Sequence, residues 1–443
     1  MNNYRVIGVF FLALLSVLTS KAKNVYDIEN CNIQRLFSEK EVTYIIRFAH
    51  QFCDTLIIPP NCELRFKGGS LNGPIVFDNS KLSGDVKLKG SSVSGCVNNE
   101  FFNASWLCTI DGQTDDARSI NEMIEVCGKV YFPKGNYKLV SRFNPTGHVQ
   151  KKLQKNIKAH LGICKSNVEL IGESGANFLT NDSLGTICIF SKPNKIEKSI
   201  RNIKIKNINF KVHNDGVVFR EFLHTIKTIG VNGLTIENCS FNDFWGDAIC
   251  LSHYGDNPKT GERTLNQNVK ILNNIIIGGD HHNNRNGISV ISGKNIFIKN
   301  NIIKNTSRKD MPGGIDIEPN NSAYTIENII IEDNEIEGIK GHRGAIVLHL
   351  YKGGSAHHIE IVSNKIKKSV AGIIIAIKTD DTSDSIIVKN NYIDADTPPY
   401  KFQGKGKSKD WIISGNIFER ACRQEIPGDI IVHNLVAKNN KKK

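Results

Sequence analysis

A short phrase, apolar-x-x-Asn-x-apolar, recurs through the second half of the chain and constrains its fold more than any other feature. Its asparagine returns at steps of 25 to 33 residues. A repeat of this length is typical of a solenoid, because one unit cannot bury its own apolar face and must stack on the next unit. The six clearest copies place the asparagine at Asn274, Asn301, Asn334, Asn364, Asn391 and Asn416.

The residues around each asparagine indicate the kind of solenoid. Runs such as Asn328–Glu332 and Gly372–Ala376 are short and rich in isoleucine, which predicts strands, and no helical heptads occur. Short strands stacked coil on coil make a parallel β-helix. We expect the asparagine to lie at a bend, tolerate a left-handed backbone and bond the asparagines of neighbouring coils. Cys239 and Ile208 take its place in two earlier coils.

The remaining sequence suggests four parts. Residues 1–22 are typical of a secretory signal peptide, because Arg5 precedes an uncharged apolar stretch too short to span a bilayer comfortably. Residues 23–110 predict a β-rich cap or narrow early coils, residues 111–435 the β-helix, and residues 436–443 a basic tail. No second apolar run of spanning length occurs, so we expect an exported protein, secreted or periplasmic, without a membrane span.

One helix is predicted near the start of the solenoid. Thr114 or Asp115 can cap its first turn and Gly128 can end it. We expect it to cover an open end of the β-helix, where core and strand edges would otherwise be exposed. Its apolar face consists of Ile120, Met123, Ile124 and Cys127.

Two segments flanking this helix carry a resemblance. The runs Asp111–Asn121 and Val130–Tyr137 resemble the first segment of the pectate-lyase-like superfamily of right-handed parallel β-helix proteins. The resemblance covers roughly residues 100–420. It implies an all-β, right-handed parallel β-helix with an N-terminal capping helix. It leaves the reaction open, because hydrolases, lyases, epimerases and non-enzymatic binders share that fold.

Stacking brings residues from distant parts of the chain into columns, since neighbouring strands lie about 4.8 Å apart. We align the coils on small-apolar pairs, namely Gly216-Val217, Ala248-Ile249, Gly287-Ile288, Gly314-Ile315, Ala345-Ile346 and Gly372-Ile373. If the apolar residue points inward, the outward column reads Cys250, Ser289, Asp316, Val347 and Ile374. The column two residues further along reads Ser252, Ile291, Glu318, His349 and Ala376.

Asp316 and Glu318 are the leading candidates for acid/base catalysis. Two residues apart on one strand, they stand about 6.6 to 7 Å apart, within the roughly 6.5 to 9.5 Å that inverting glycosidases need. Asp247 and His349 are supporting or alternative catalytic residues. A solvated strand with a chance pair of carboxylates is the competing interpretation.

Basic and aromatic residues border these acids and suit a sugar that bears carboxylate or sulfate. The formal net charge of +13 also favours an anionic partner. The sequence offers no aromatic-basic groove for nucleic acid, and it leaves the oligomeric state open. The predicted substrate-binding residues are Arg285, Arg343, Asp215, Tyr351, Lys352 and His282.

A partial resemblance concerns the polygalacturonases, glycoside hydrolase family 28. The segments Asn214–Gly216, Gly246–Cys250 and Arg285–Ser289 resemble that family's catalytic segments. Gly246 and Asn286 stand where the family has an Asp and a His, and no Arg-x-Lys follows in register. The resemblance implies hydrolysis of an acidic polysaccharide by a different acid pair.

Two alternatives remain. A lyase or epimerase would act on uronic acid residues, with arginine or calcium neutralising the substrate carboxylate, and a non-catalytic β-helix would only bind glycan. We otherwise predict no cofactor and no metal, because the paired histidines 281–282 and 357–358 lack further ligands at suitable spacing. The eleven cysteines are expected to be mostly free and buried, with Cys53 and Cys62 the nearest pair to test.

Overall fold

The computed structural model describes residues 22–25, 33–145, 157–180, 184–191, 200–213, 219–253, 265–279, 284–306, 313–320, 324–341, 343–350, 354–377, 383–396, 400–404, 406–419 and 430–442. The signal peptide predicted at residues 1–22 lies outside this set except for its last residue. Within the set, no helix is both long enough and apolar enough to cross a bilayer.

Three long parallel sheets form the body of the protein, and each central coil contributes a strand to each sheet. The right-handed parallel β-helix predicted from the sequence is confirmed. We call the first of these sheets the cleft sheet. Its strands, in spatial order, are Ala159–Ile163, Gly185–Phe190, Ile226–Ile229, Ile249–Ser252, Ile288–Val290, Ile315–Ile317, Ile346–Leu350, Ile373–Ile377 and Tyr400–Gly404.

The other two long sheets complete each coil. The second consists of Asp111–Asp115, Gly135–Lys138, Ala176–Thr180, Asn209–Val212, Ser240–Asn242, Ile275–Ile277, Ile302–Lys304, Glu335–Glu337, Lys365–Ser369, Tyr392–Ala395, Ile417–Phe418 and Lys441–Lys442. The third, which we call the lysine sheet, consists of Phe102–Asn103, Lys129–Phe132, Val168–Gly172, Ile200–Lys206, Val231–Glu237, Asn266–Leu272, Gly293–Lys299, Thr325–Glu332, Ser355–Val362, Ser383–Lys389, Gly406–Lys409, Ile412–Ser414, Ile430–His433 and Val436–Lys438.

The N-terminal part forms two smaller parallel sheets. One contains Ala22–Val25, Thr43–Ile46, Leu56–Ile57, Glu63–Phe66, Pro74–Gly84 and Ser92–Val97, and the other pairs Ala49–Gln51 with Ser70–Asn72. Short 3₁₀ turns occur at Ile33–Leu36 and Ala104–Trp106. Apolar side chains of this part are continuous with the core of the main solenoid.

The capping helix spans Ala117–Val126, and it packs against Ser92–Val97 and against Ala159–Ile163, the first strand of the cleft sheet. The N-cap residue is Asp116, so the cap predicted at Thr114 or Asp115 is displaced by one residue. Asp115 still contributes, because its Oδ1 accepts a hydrogen bond from the Ala117 backbone N–H at 3.1 Å. The helix ends before Gly128, whose φ of +77° suits glycine.

The repeated asparagines form a buried ladder along the core. Each side-chain amide donates to the Oδ1 of the asparagine in the next coil, as from Asn301 to Asn334 at 3.0 Å, and also to backbone carbonyls. The predicted amide-to-amide bonding is therefore confirmed. The left-handed backbone lies one residue earlier than expected, as at Asn300 with a φ of +57°, because this residue makes the turn while the ladder asparagine points inward.

The ladder continues into the segment predicted to be a basic tail. Asn416 donates its side-chain amide to Oδ1 of Asn440 at 3.0 Å, and strands at Val436–Lys438 and Lys441–Lys442 pair with the preceding coil. Residues 437–440, Ala-Lys-Asn-Asn, repeat the phrase of the earlier coils. All nine cysteines among the described residues, Cys53 and Cys62 included, are free.

Candidate active site

The outward columns of the cleft sheet follow the register predicted from the sequence. Cys250 pairs with Ser289, Ser289 with Asp316, and Asp316 with Val347. The flanking isoleucines belong to the interior core, so these residues point outward. The alignment fails in one earlier coil, where Ile226 rather than Val217 pairs with Ile249.

A cleft of about 390 Å³ opens on this face of the solenoid. It brings together four of the residues predicted from the sequence, Asp247, Arg285, Glu318 and Arg343. Their convergence from four coils is what the predicted register requires. The other lining residues include Glu221, Phe222, His224, Lys227, Cys250, Ser252, His253, Ile291 and Asn320.

Asp247 lies on the cleft floor, and its carboxylate is almost completely buried. Its Oδ1 accepts a hydrogen bond from the Asn286 backbone N–H at 3.1 Å and lies 3.7 Å from Nε of Arg285. Burial by itself would raise the pKa of Asp247, but the charges of Arg285 and His224 and these hydrogen bonds outweigh it and lower the pKa to about 2. Asp247 is therefore ionised throughout the neutral range.

His224 faces Asp247 from the preceding coil. Its Nδ1 lies 3.1 Å from the Asp247 backbone nitrogen and 3.1 Å from Oδ2. When the ring is neutral, Nδ1 accepts from the backbone N–H, and when it is protonated, Nδ1 donates to the carboxylate. Burial lowers the pKa of His224 despite the opposing effect of Asp247, which favours the neutral ring.

Arg285 joins the acidic residues of the site. Its guanidinium lies 3.3 Å from Oε1 of Glu221 at the cleft rim and 3.7 Å from Asp247 on the floor. Although burial opposes its charge, Asp247, Asp316 and Glu221 together raise the pKa of Arg285. Arg285 is thus a fixed cation, and its main electrostatic effect is to hold Asp247 ionised.

Asp316 lies behind the cleft wall and is fully buried. Its Oδ2 accepts a hydrogen bond from Nδ2 of Asn286 at 3.1 Å, and its Oδ1 lies 3.8 Å from Nδ1 of His349. Burial and the nearby charge of Glu318 raise the pKa of Asp316 well above its usual range, and Arg285 only partly opposes them. Asp316 therefore keeps its proton at pH values where an ordinary carboxyl group has lost it.

The structure separates the predicted catalytic residues into two layers. Asp247 and Glu318 line the cleft, whereas Asp316 and His349 are buried next to each other and are not among the lining residues. Arg343 is exposed at the rim. The predicted substrate-binding residues Asp215, His282, Tyr351 and Lys352 lie outside the described residues.

Sequence reasoning missed several cleft residues on one segment. Glu221, Phe222, His224 and Lys227 precede or begin the strand Ile226–Ile229. The alternation from residue 226 to 229, Ile-Lys-Thr-Ile, was an available signal because it places Lys227 in the outward column beside Cys250. The small-apolar pair used for alignment is replaced here by Thr225-Ile226.

Three side chains of the floor have metal-binding potential. Ligand atoms of His224, Asp247 and Cys250 all lie within 4.8 Å of one another. However, Arg285 lies against Asp247, and both Arg285 and Lys227 act on Cys250 as nearby positive charges. Burial and Asp247 raise the pKa of the Cys250 thiol, whereas a metal ligand must be a thiolate. The set fits a hydrogen-bonded network better than a cation site.

Fold and cleft together define a parallel β-helix protein with a cleft on one sheet that is lined by both acidic and basic side chains. No family model and no curated protein matches the sequence. The chain is similar in structure to a surface adhesin, PfbA, of Streptococcus pneumoniae, with 14% identity over 77% of this chain and 91% of that chain and a TM-score of 0.40.

Two further structures extend the comparison. The tailspike of Acinetobacter baumannii phage AM24 shows 14% identity over 77% of this chain and 54% of that one, with a TM-score of 0.48. For the endo-xylogalacturonan hydrolase of Aspergillus tubingensis, identity is 12% over 76% and 91%, with a TM-score of 0.36. Identities this low concern the fold and leave the reaction open.

Proposed function

We propose that the protein is an exported enzyme that hydrolyses glycosidic bonds of an acidic polysaccharide in this cleft. The observation that carries the proposal is the opposite behaviour of two carboxyl groups in one site. Asp247 has a pKa lowered to about 2, while that of Asp316 is raised well above its usual range. Environments that push two carboxyl pKa values apart are how glycosidases separate their acid from their base.

Glu318 gives the buried acid access to substrate. Asp316 and Glu318 repel each other when both are ionised, so the first proton is lost from the pair more easily than the second. Glu318 is the member that lines the cleft. In the proposed reaction, the proton that the pair retains reaches the leaving glycosidic oxygen through Glu318.

Asp247 is the proposed base. It is ionised and lies on the cleft floor, where Arg285 and Asn286 fix its Oδ1. Its role is to orient and deprotonate the attacking water, while neutral His224 holds the Asp247 backbone by accepting from its N–H. His349 acts on Asp316 rather than on substrate, because it is buried beside that carboxyl.

Cationic residues support an anionic substrate. Lys227 and Arg343 line the cleft together with Arg285. Since Arg285 is already engaged by Glu221 and Asp247, we assign recognition of the sugar carboxylate or sulfate chiefly to Lys227 and Arg343. Export is supported by the signal-peptide-like sequence of residues 1–22.

Lys227 also favours a second candidate function, a lyase acting on uronic acid residues. It is half-buried, lies in the outward column beside Cys250 and lines the cleft together with two arginines. A basic residue next to fixed cations can remove the proton beside a sugar carboxylate whose charge is neutralised.

One assay separates these functions. The protein is incubated with a panel of uronate-containing and sulfated polysaccharides, and the products are read for new reducing ends and for ultraviolet absorbance. Hydrolysis gives reducing ends without absorbance, whereas a lyase product absorbs through its new double bond. Binding without either signal contradicts both reactions and leaves a glycan-binding protein.

A further inference from the structure

A second asparagine ladder runs along the outside of the lysine sheet. Asn202 donates its side-chain amide to Oδ1 of Asn167 at 2.9 Å, and Asn328 donates likewise to Asn295 at 3.0 Å. Asn167, Asn202 and Asn328 are exposed and Asn295 is half-buried. All four have positive φ values, such as +57° at Asn202. Side-chain amides therefore line one edge of the sheet from coil to coil.

Gly233 interrupts this ladder. The register pairs Arg201 with Asn232, so Gly233 holds the ladder position after Asn202, with a φ of +82°. The next asparagine, Asn268, donates instead to Oδ1 of Asn232 at 2.7 Å. Gly233 lies in a surface notch of about 640 Å³ that extends over several coils and is also lined by Asn202, Thr235 and Lys270. A Cβ at Gly233 would lie 3.4 Å from Oδ1 of Asn202.

The adjacent column of the sheet supplies complementary chemistry. Lys204, Thr235, Lys270 and Phe297 pair in that order on consecutive strands. Lys204 lies 3.4 Å from Glu169, whereas Lys270 is exposed and makes no ion pair within the described chain. Phe297 is not among the residues that line the notch but pairs with Lys270 at its edge, and 38% of its surface is exposed.

We propose that this notch is a second, non-catalytic binding site for an acidic glycan. Lys270 pairs with a sugar carboxylate or sulfate, Phe297 stacks on the apolar face of a sugar ring, and Asn202 Oδ1 and the Thr235 hydroxyl bond sugar hydroxyls. At about 4.8 Å per strand, Thr235 to Phe297 spans roughly 10 Å, the scale of a short oligosaccharide. The site lies on a different sheet from the cleft and shares with the proposed function only the anionic glycan.

The test uses two variants that act by different routes. Gly233→Asn restores the ladder side chain at a backbone conformation that asparagine tolerates, and it occupies the part of the notch next to Asn202 without changing charge. Lys270→Ala removes the cation. The matched control is Lys294→Ala, on the same sheet but paired with Glu327 at 2.9 Å. All are made in a Glu318→Gln background to limit cleavage of the probe.

Isothermal titration calorimetry with a galacturonate hexasaccharide, and in a second arm a sulfated oligosaccharide of equal length, reports stoichiometry as well as Kd. We expect two sites in the parent and the control, and a loss of one site, or a roughly tenfold weaker Kd for it, in Gly233→Asn and Lys270→Ala. If the cleft binds nothing, the parent shows one site and Gly233→Asn none. Unchanged binding in both variants, or equal weakening by Lys294→Ala, overturns the proposal.

Discussion

Nε of Arg285 lies 3.7 Å from Oδ1 of Asp247 on the cleft floor, and the two side chains are contributed by adjacent coils. Removal of Arg285 would leave the buried Asp247 carboxylate without this cation, whereas removal of Asp247 would leave Arg285 paired with Glu221 alone. The pair thus links the stability of two coils to the ionisation state of the proposed base. Its effect on stability can be measured independently of any substrate.

The first prediction concerns acid stability. The folded pKa of Asp247, about 2, lies below its ordinary value, so its stabilising contribution is present above pH 4 and is lost as the pH falls towards 2. The shift corresponds to about 2 kcal/mol. The free energy of unfolding of wild type and of Asp247→Asn is measured by denaturant titration at pH 2.5, 4 and 6. The difference between the two free energies should become smaller at low pH. A difference that does not change with pH would contradict this assignment.

The contribution of Asp316 to stability should depend on pH in the opposite direction. Because its folded pKa is raised, the folded state holds a proton that the unfolded state has lost, and this contribution disappears as the pH rises through the folded pKa. Asp316→Asn should therefore gain stability relative to wild type as the pH increases from 3 to 8, measured as melting temperature. Asp54→Asn, at an exposed carboxyl group far along the chain from the cleft residues, is the matched control for an Asp-to-Asn change. A falling relative stability would refute the raised pKa.

The buried asparagine ladder yields a prediction about the free energy of unfolding. Asn334→Ala removes the acceptor of the Asn301 backbone N–H and the donor to the Ile298 carbonyl. Buried groups left without partners cost about 1 to 3 kcal/mol each, so for these two groups we expect a loss of about 2 to 6 kcal/mol in unfolding free energy. Asn328→Gly, on the exposed ladder, accepts the φ of +55° at that position and should cost under about 1 kcal/mol because water replaces the lost bond. Equal losses would argue that burial is not the cause.

Lys227 should affect recognition of charged sugar more than turnover. Lys227→Gln removes a cleft cation, and under hydrolysis we expect KM for an acidic substrate to rise roughly tenfold with kcat changed less than threefold. The control is the same polysaccharide without its carboxylate or sulfate groups, because the KM for this neutral substrate should not change. A fall in kcat of about 10³-fold with unchanged KM would identify Lys227 as the base and favour the lyase.

The sequence predicted the fold well because its repeat is periodic in both asparagine and isoleucine. The column from Cys250 to Ile374 was predicted in full, since each small-apolar pair marks a strand start. Prediction failed where an insertion moved the strand start, as at Ile226. The copy of the asparagine repeat at residues 437–440 was not predicted because lysines surround it.

The burial of individual residues of the candidate site could not be predicted in the same way. Asp316 and Glu318 share an outward face, but only the structure shows that Asn286, Arg285 and His349 enclose Asp316. These neighbours come from other coils and have no fixed spacing in the sequence. His224 was missed for the same reason, since its partner Asp247 lies one coil away.

The most direct test of the central claim is the turnover of Glu318→Gln on the polysaccharide that wild type cleaves. Gln keeps the shape of the side chain but cannot transfer the proton, so the account predicts a fall in kcat of at least about 10²-fold. Glu327→Gln, at a surface ion pair on the lysine sheet, is the matched control and should retain wild-type turnover. Near-normal turnover of Glu318→Gln would contradict the proposed role of the cleft.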